Sequence, residues 1–143
     1  MLLFFSIQFP QYMLIQFKGV GAFFGHNDIF LTLASSLALV FNAFSRLITG
    51  MIVDRVSFRY YFSILMTASI FFSATFSFAA PNSVLFIIYL CAANYIYGSV
   101  YVSLPTFYAL TFGPEIGSYL YSYCFTASCF STLTISLIIY EVQ

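Results

Sequence analysis

Five apolar stretches, separated by short helix-breaking runs, occupy most of this 143-residue chain. A helix that crosses the ~30 Å hydrocarbon core of a bilayer needs about 20 mainly apolar residues. The stretches predict helices over approximately residues 2–17, 29–53, 60–80, 84–110 and 116–140. The expected fold class is therefore an all-α membrane protein with about five transmembrane helices, in a multi-pass integral protein of the lipid bilayer.

Composition excludes several other classes of protein. Hydrophobic residues make up 62% of the chain and charged residues 6%, whereas soluble domains carry about 25% charged residues. A formal net charge of zero supplies no basic field for nucleic acid. The cysteines show no metal-ligand or redox-pair spacing, and His26 is the only histidine, so neither a metal nor a cofactor is expected.

The breaker-rich runs predict where the helices end. Lys18 and the glycine-containing run 19–28 indicate a flexible connection after the first helix, which Pro10 interrupts. Asp28 is placed to cap the second helix by accepting hydrogen bonds from free amide groups. Pro105 is expected to kink the last turns of the fourth helix.

The loop between the second and third helices indicates the orientation. Arg55 and Arg59 share this short loop, and basic residues favour the cytoplasmic side. The loop is therefore predicted to be cytoplasmic. The chain would then start on the cytoplasmic side and end on the opposite side. This orientation puts Lys18 on the outer side, against the same rule.

Arg46 is the one basic residue within a predicted spanning segment. It precedes Asp54 by eight residues, or about 12 Å at the helical rise of ~1.5 Å per residue. An arginine at the membrane centre costs roughly 2.5–3.5 kcal/mol, so it is expected to be buried and partnered. Asn42 lies on the same helix face, Ser45 and Thr49 add hydroxyl groups, and Gly50 opens space. We interpret the group as an anion site; the alternative is an arginine satisfied by neighbouring helix carbonyls and hydroxyls.

Residues 50–59 resemble the loop signature of the major facilitator superfamily. In that signature a glycine, three residues, Asp-Arg, three residues and a basic residue follow one another. Four positions match, Gly50, Asp54, Arg55 and Arg59, whereas Ser57 and Phe58 stand where the family usually has glycine and a basic residue. The resemblance implies that the four matching residues form a cytoplasmic gate. The alternative is an ordinary charged cytoplasmic loop.

Residues 41–50 are similar to the eighth helix of the oxalate/formate-antiporter-like and monocarboxylate transporter branch, and residues 97–105 and 112–114 to its tenth helix and following loop. The resemblance implies helices seven to eleven of a twelve-helix fold, a partial C-terminal half. It also implies that Arg46 meets the substrate carboxylate, with Asn42 beside it. No Lys or Arg follows Arg59, which favours a monocarboxylate over oxalate. An asparagine at 42, where proton-coupled carriers have an acid, puts proton coupling in doubt.

The expected function is transport of a small organic anion by alternating access, as part of a larger transporter. Such carriers rock two halves around a central site, so a missing N-terminal six-helix half or a partner subunit is expected. The chain would then be a fragment, a truncated product or a subunit. The alternative is a non-transporting structural subunit of a membrane complex, such as an organellar respiratory assembly. An intramembrane enzyme is disfavoured because no nucleophile–base pair is present.

The topology can be tested by labelling introduced cysteines from either side of the membrane, with Cys91, Cys124 and Cys129 replaced by alanine. Cysteine at position 57 is expected to react from the cytoplasmic side and cysteine at position 82 from the opposite side. Reaction of both from one side would contradict the five-span topology.

Overall fold

The structure is a computed structural model that describes residues 7–142, with side chains described except at 127 and 138–142. It consists of five α-helices: α1 (Gln8–Phe23), α2 (Asp28–Val53), α3 (Phe58–Ala79), α4 (Ser83–Phe112) and α5 (Pro114–Val142). The described residues form no strand, and the predicted all-α membrane fold class is confirmed. Within residues 7–142, three helices, α2, α3 and α4, are long and apolar enough to cross a membrane. By length and composition, three of the five predicted spans are therefore supported.

The first helix differs from the prediction at its C-terminal end. It continues through Lys18 to Phe23, so the predicted flexible connection from 19 onward is wrong. Gly21 lies against α2, where a Cβ atom would come within 2.9 Å of Leu31 Cδ1. This packing stabilises a helix that glycine alone would weaken. The turn follows at residues 24–27, with Gly25 at φ +80°. Positions 2–6 of the predicted helix lie outside the described residues.

Asparagines cap two helices. Asn27, rather than the predicted Asp28, precedes α2, and its side chain accepts a hydrogen bond from the Ile29 amide (3.4 Å). Asp28 is instead the first helical residue and pairs with Lys18 Nζ at 3.1 Å. Asn82 caps α4 by accepting from the Val84 amide (3.0 Å). Both asparagine side chains accept hydrogen bonds from amide groups of the first helical turn, which have no acceptor within the helix.

The central helix of the fold is α4. It contacts each of the other four helices, whereas α2 and α3 each pack mainly on α4 and barely on one another. Buried residues occur all around it, including Phe86, Leu90, Val100 and Leu104. A helix that is apolar on every side is surrounded by protein or lipid. Pro105 lies within α4, which continues to Phe112.

A very close helix contact joins α2 and α4 at Gly98. A Cβ atom there would overlap Ser45 Oγ and lie 2.8 Å from the Asn42 carbonyl oxygen. Ser45 and Ser99 beside it are fully buried. Small residues allow this approach, since apolar burial provides little drive between helices in lipid. Gly50, by contrast, faces open space, with no described neighbour within 4 Å of its Cβ position.

Alanine at Gly98 is expected to destabilise the fold because its Cβ has no room between α4 and α2. Overpacking of this kind costs about 1–3 kcal/mol. The matched control is Gly50→Ala, which meets no neighbour and gains helix propensity. Unfolding in mixed detergent micelles, followed by circular dichroism, should show a loss of stability for Gly98→Ala but not for Gly50→Ala. Equal stability of the two variants would contradict the close α2–α4 contact.

Candidate functional site

Arg46 lies on α2 with its side chain exposed at the surface of the five-helix unit. The sequence predicted a buried, partnered arginine, and within this chain that prediction is wrong. Among the described residues Arg46 takes part in no ion pair. The physical reason is that α4 covers the neighbouring face of α2, which carries Ser45 and Thr49, and leaves the Arg46 face uncovered.

Three tyrosines from α4 and α5 share the face on which Arg46 lies. The guanidinium is close enough to Tyr97 and Tyr121 to interact electrostatically with both hydroxyls. The rings of Tyr97 and Tyr101 pack with centroids 4.8 Å apart, and the Tyr121 hydroxyl donates to the Tyr101 main-chain carbonyl (3.3 Å). We call Tyr97, Tyr101 and Tyr121 the tyrosine wall. It gives the charged group amphipathic neighbours on two other helices.

Sequence reasoning assigned no role to the tyrosine wall. Tyr97 and Tyr101 lie in a stretch singled out only for its resemblance to a transporter helix. Their four-residue spacing puts them on one helix face, and this spacing could have indicated the α4 part of the wall. Tyr121 reaches the same place from α5, and no local pattern predicts that contact. The Tyr101 hydroxyl further bonds Ser128 Oγ, which ties α4 to α5.

Asn42, the second predicted substrate-binding residue, already has a partner within the chain. Its Nδ2 donates to the Asn94 main-chain carbonyl at 3.1 Å. Its own carbonyl oxygen lies beside the tight contact at Gly98. Asn94 is itself buried and donates to the Leu90 carbonyl. The amide of Asn42 therefore joins α2 to α4, and a contact with substrate stays a prediction.

Ser45 and Thr49 were predicted to place hydroxyls beside Arg46, and the structure turns both elsewhere. Ser45 Oγ donates to the Asn42 carbonyl (2.7 Å). Thr49 Oγ1 shares a hydrogen bond with the Tyr61 hydroxyl (2.8 Å) and donates to Ser99 Oγ (2.9 Å). Both side chains are fully buried against α4. Neither belongs to the surface that carries Arg46.

Thr49, Tyr61 and Ser99 form a buried hydroxyl cluster that joins α2, α3 and α4. Each hydroxyl has at least one partner in the other two helices, and the Tyr61–Ser99 distance is 3.5 Å. Buried polar groups satisfied in this way specify how helices align. The cluster lies close to the loop that connects α2 and α3, so it fixes the two helix ends that carry the loop motif.

The loop motif lies at the α2–α3 turn with its charged groups in the open. Asp54, Arg55 and Arg59 are all exposed, and in the described part of the chain no ion pair joins Asp54 to either arginine. Asp54 is the C-cap of α2, where the helix dipole disfavours a carboxylate. The four residues of the predicted gate thus lie at one end of the fold. In the described structure the three charged ones form no ion pair with each other.

His26 ties two loops at the opposite end of the helices. Its Nε2 lies 3.0 Å from the Ala80 carbonyl oxygen and its Nδ1 3.3 Å from Ser83 Oγ. The ring packs against Phe30 and Phe86 at centroid distances of 5.3 and 5.1 Å. These contacts give the histidine a structural role. The described residues contain no group of three His, Cys, Asp or Glu side chains placed to hold a metal ion.

Comparison with protein-family models, curated proteins and solved structures finds no match to this chain.

Proposed function

We propose that this chain is a multi-pass integral membrane protein that forms one wall of a transport path for a small organic anion. In this proposal it is a partial C-terminal half of a major-facilitator-type transporter and acts by alternating access with a second half or partner subunit. The observation that carries the proposal is Arg46, a charged side chain in an apolar membrane-length helix, exposed beside the tyrosine wall. The substrate that fits it best is a monocarboxylate.

Arg46 is exposed within an apolar helix long enough to cross a membrane. Facing lipid at this depth would cost several kcal/mol, so such residues line protein interiors or water-filled paths. The tyrosine wall continues the same face with amphipathic side chains rather than an aliphatic surface. A water-filled path between this face and another half would solvate the guanidinium and admit a polar ligand.

The chemistry of the ligand follows from the guanidinium. Its planar fork meets a carboxylate through two parallel charge-assisted hydrogen bonds. The other three basic residues of the chain, Lys18, Arg55 and Arg59, lie close to helix ends. One cation within the membrane supports a ligand with one carboxylate. The Tyr97 hydroxyl of the tyrosine wall can add a donor for one of its remaining polar atoms.

The loop motif supports a gate that needs a partner from outside this chain. Asp54 has no ion pair with Arg55 or Arg59 in the described residues, and Gly50 faces open space. In a rocking transporter both features suit a surface that meets the other half when the cytoplasmic side closes. Gly50, Asp54, Arg55 and Arg59 would then form the gate.

Substitution of Arg46 tests the site. Arg46→Gln is expected to abolish uptake of a labelled monocarboxylate by vesicles that contain the chain and its other half. Arg46→Lys should lower uptake about tenfold or more, because the ammonium keeps the charge but loses the paired bonds, each worth about 1.5–3 kcal/mol. Membrane insertion should be unchanged or improved in Arg46→Gln, since a costly charge is removed.

Lys18→Gln is the matched control for Arg46→Gln. It removes one positive charge from the same chain at an exposed ion pair between α1 and α2, and uptake should remain at the level of the unmodified protein. Normal uptake by Arg46→Gln would remove the site from this position. A chain that supports no anion uptake, but is needed for assembly of a membrane complex, would favour the structural-subunit alternative.

The gate is tested with Asp54→Asn. Loss of its charge should shift the equilibrium between inward-open and outward-open states by about 1–3 kcal/mol. Modification of a cysteine introduced at Tyr97, measured from each side of the membrane, reports this equilibrium. Asp28→Asn, which breaks only the Lys18 pair, should leave it unchanged. Unaltered accessibility in Asp54→Asn would contradict a gating role.

A further inference from the structure

A groove on the opposite side of α2 from Arg46 separates α2 and α3, with α4 as its floor. Its cavity volume is about 580 Å³. The walls are apolar and come from the three helices long enough to cross a membrane; they include Leu37, Phe41, Ala68, Phe72, Ile88 and Ala92. Leu37, Phe41, Ile64 and Ile88 remain 44%, 44%, 65% and 50% exposed, so the groove is open to its surroundings. We call this cavity the back groove.

The back groove has the length of one lipid leaflet. On α3 its lining extends from Tyr61 to Phe72, which are eleven positions apart, or about 16 Å at the helical rise of ~1.5 Å. Half of a ~30 Å hydrocarbon core is about 15 Å. Tyr61 lies one helical turn from the α2–α3 loop, so the groove begins just below that loop. An extended acyl chain from the leaflet on this side matches it in direction and length.

The walls exclude a polar occupant. Two phenol groups, those of Tyr61 and Tyr95, line the groove near its loop end. The Tyr61 hydroxyl is already bonded to Thr49 within the buried hydroxyl cluster. Water needs several polar partners to occupy a site, and an apolar cavity does not supply them. Hydrocarbon loses nothing by entering such a groove and gains packing contacts.

Charges at the loop end of the fold favour an anionic headgroup. Arg55 in the α2–α3 turn and Arg59 in the first turn of α3 are exposed, against one aspartate, Asp54. Glu115 lies at the same end of the fold, but on α5, which does not line the groove. Basic residues beside a bilayer attract anionic phospholipids, which are concentrated on the cytoplasmic face. This is the side to which the loop's arginines assign it.

We propose that the back groove binds one acyl chain of an anionic phospholipid from the leaflet next to the α2–α3 loop, with the headgroup attracted by the charges of Arg55 and Arg59. The site requires membrane insertion of α2, α3 and α4. It does not require transport, so it stands or falls separately from the anion site at Arg46.

The absence of tryptophan makes a direct test available. A single tryptophan replaces Phe41 in the back groove, or Phe130 on α5, which does not line the groove, in full-length protein in lipid nanodiscs. The two positions lie at similar depth, because Asn42, next to Phe41, contacts Gly98, and Ser128, near Phe130, bonds Tyr101 one turn further along α4. Phosphatidylglycerol or phosphatidylcholine with brominated acyl chains is added as quencher. Lipid that only surrounds the protein quenches the fluorescence of both tryptophans to the same extent. A lipid bound in the back groove adds further quenching for Phe41→Trp.

The expected result is half-maximal quenching of Phe41→Trp at about a tenth or less of the phosphatidylglycerol concentration needed with phosphatidylcholine, both brominated, with no such preference for Phe130→Trp. Unbrominated phosphatidylglycerol should reverse the excess quenching. Arg55→Gln and Arg59→Gln should each lower the preference by about fivefold. Ala92→Leu, which fills the groove, should remove the excess, whereas Ala43→Leu on an exposed part of α2 should not.

Equal quenching at Phe41→Trp and Phe130→Trp would overturn the proposal. Excess quenching without preference between the two headgroups would overturn the role of the arginines and of an anionic lipid. Circular dichroism and gel filtration show whether each variant is folded. The competition by unbrominated lipid uses only Phe41→Trp, so the test holds even if Ala92→Leu does not fold.

Discussion

At Gly98 the backbone of α4 lies against α2 with no room for a side-chain atom, and the other helices are arranged around this contact. Ser45 and the Asn42 carbonyl fill the space that a Cβ would take, and Asn42 donates across the same seam to Asn94. Helices in lipid associate through close packing and hydrogen bonds rather than apolar burial. The seam supplies both, so it fixes which face of α2 is covered and which faces stay open.

The seam leaves α2 with two open faces of different chemistry. Leu37 and Arg46 are nine residues apart, which turns the helix by about 900°, or half a turn beyond two full turns. Leu37 lines the back groove, whereas Arg46 lies beside the tyrosine wall. An aliphatic face and a charged face on opposite sides of one helix suit lipid on one side and water or another half on the other. The two proposals follow from this division.

Local patterns predicted the helices well because apolar length and breaker residues act within each segment. The bounds of α2, α3 and α4 agree with the prediction to within two residues at either end. The end of α1 was wrong because its packing of Gly21 on Leu31 is a contact between helices. Ser45 and Thr49 lie on a face of α2 next to the face that carries Arg46. The sequence does not show which of these two faces packs on α4. The tyrosine wall needs α5 beside α4, a long-range arrangement that no helical period encodes.

The placement of the hydroxyl cluster links the two predicted functional regions physically. Thr49 is on the same helix as Arg46 and Asp54, and through Tyr61 and Ser99 it is bonded to α3 and α4. Closely packed elements move as units rather than deforming gradually. If the transport proposal holds, the anion site and the gate motif lie on one unit formed by α2 and α4. A ligand that draws Arg46 toward a second half would then move Asp54 with it, without any hinge between them.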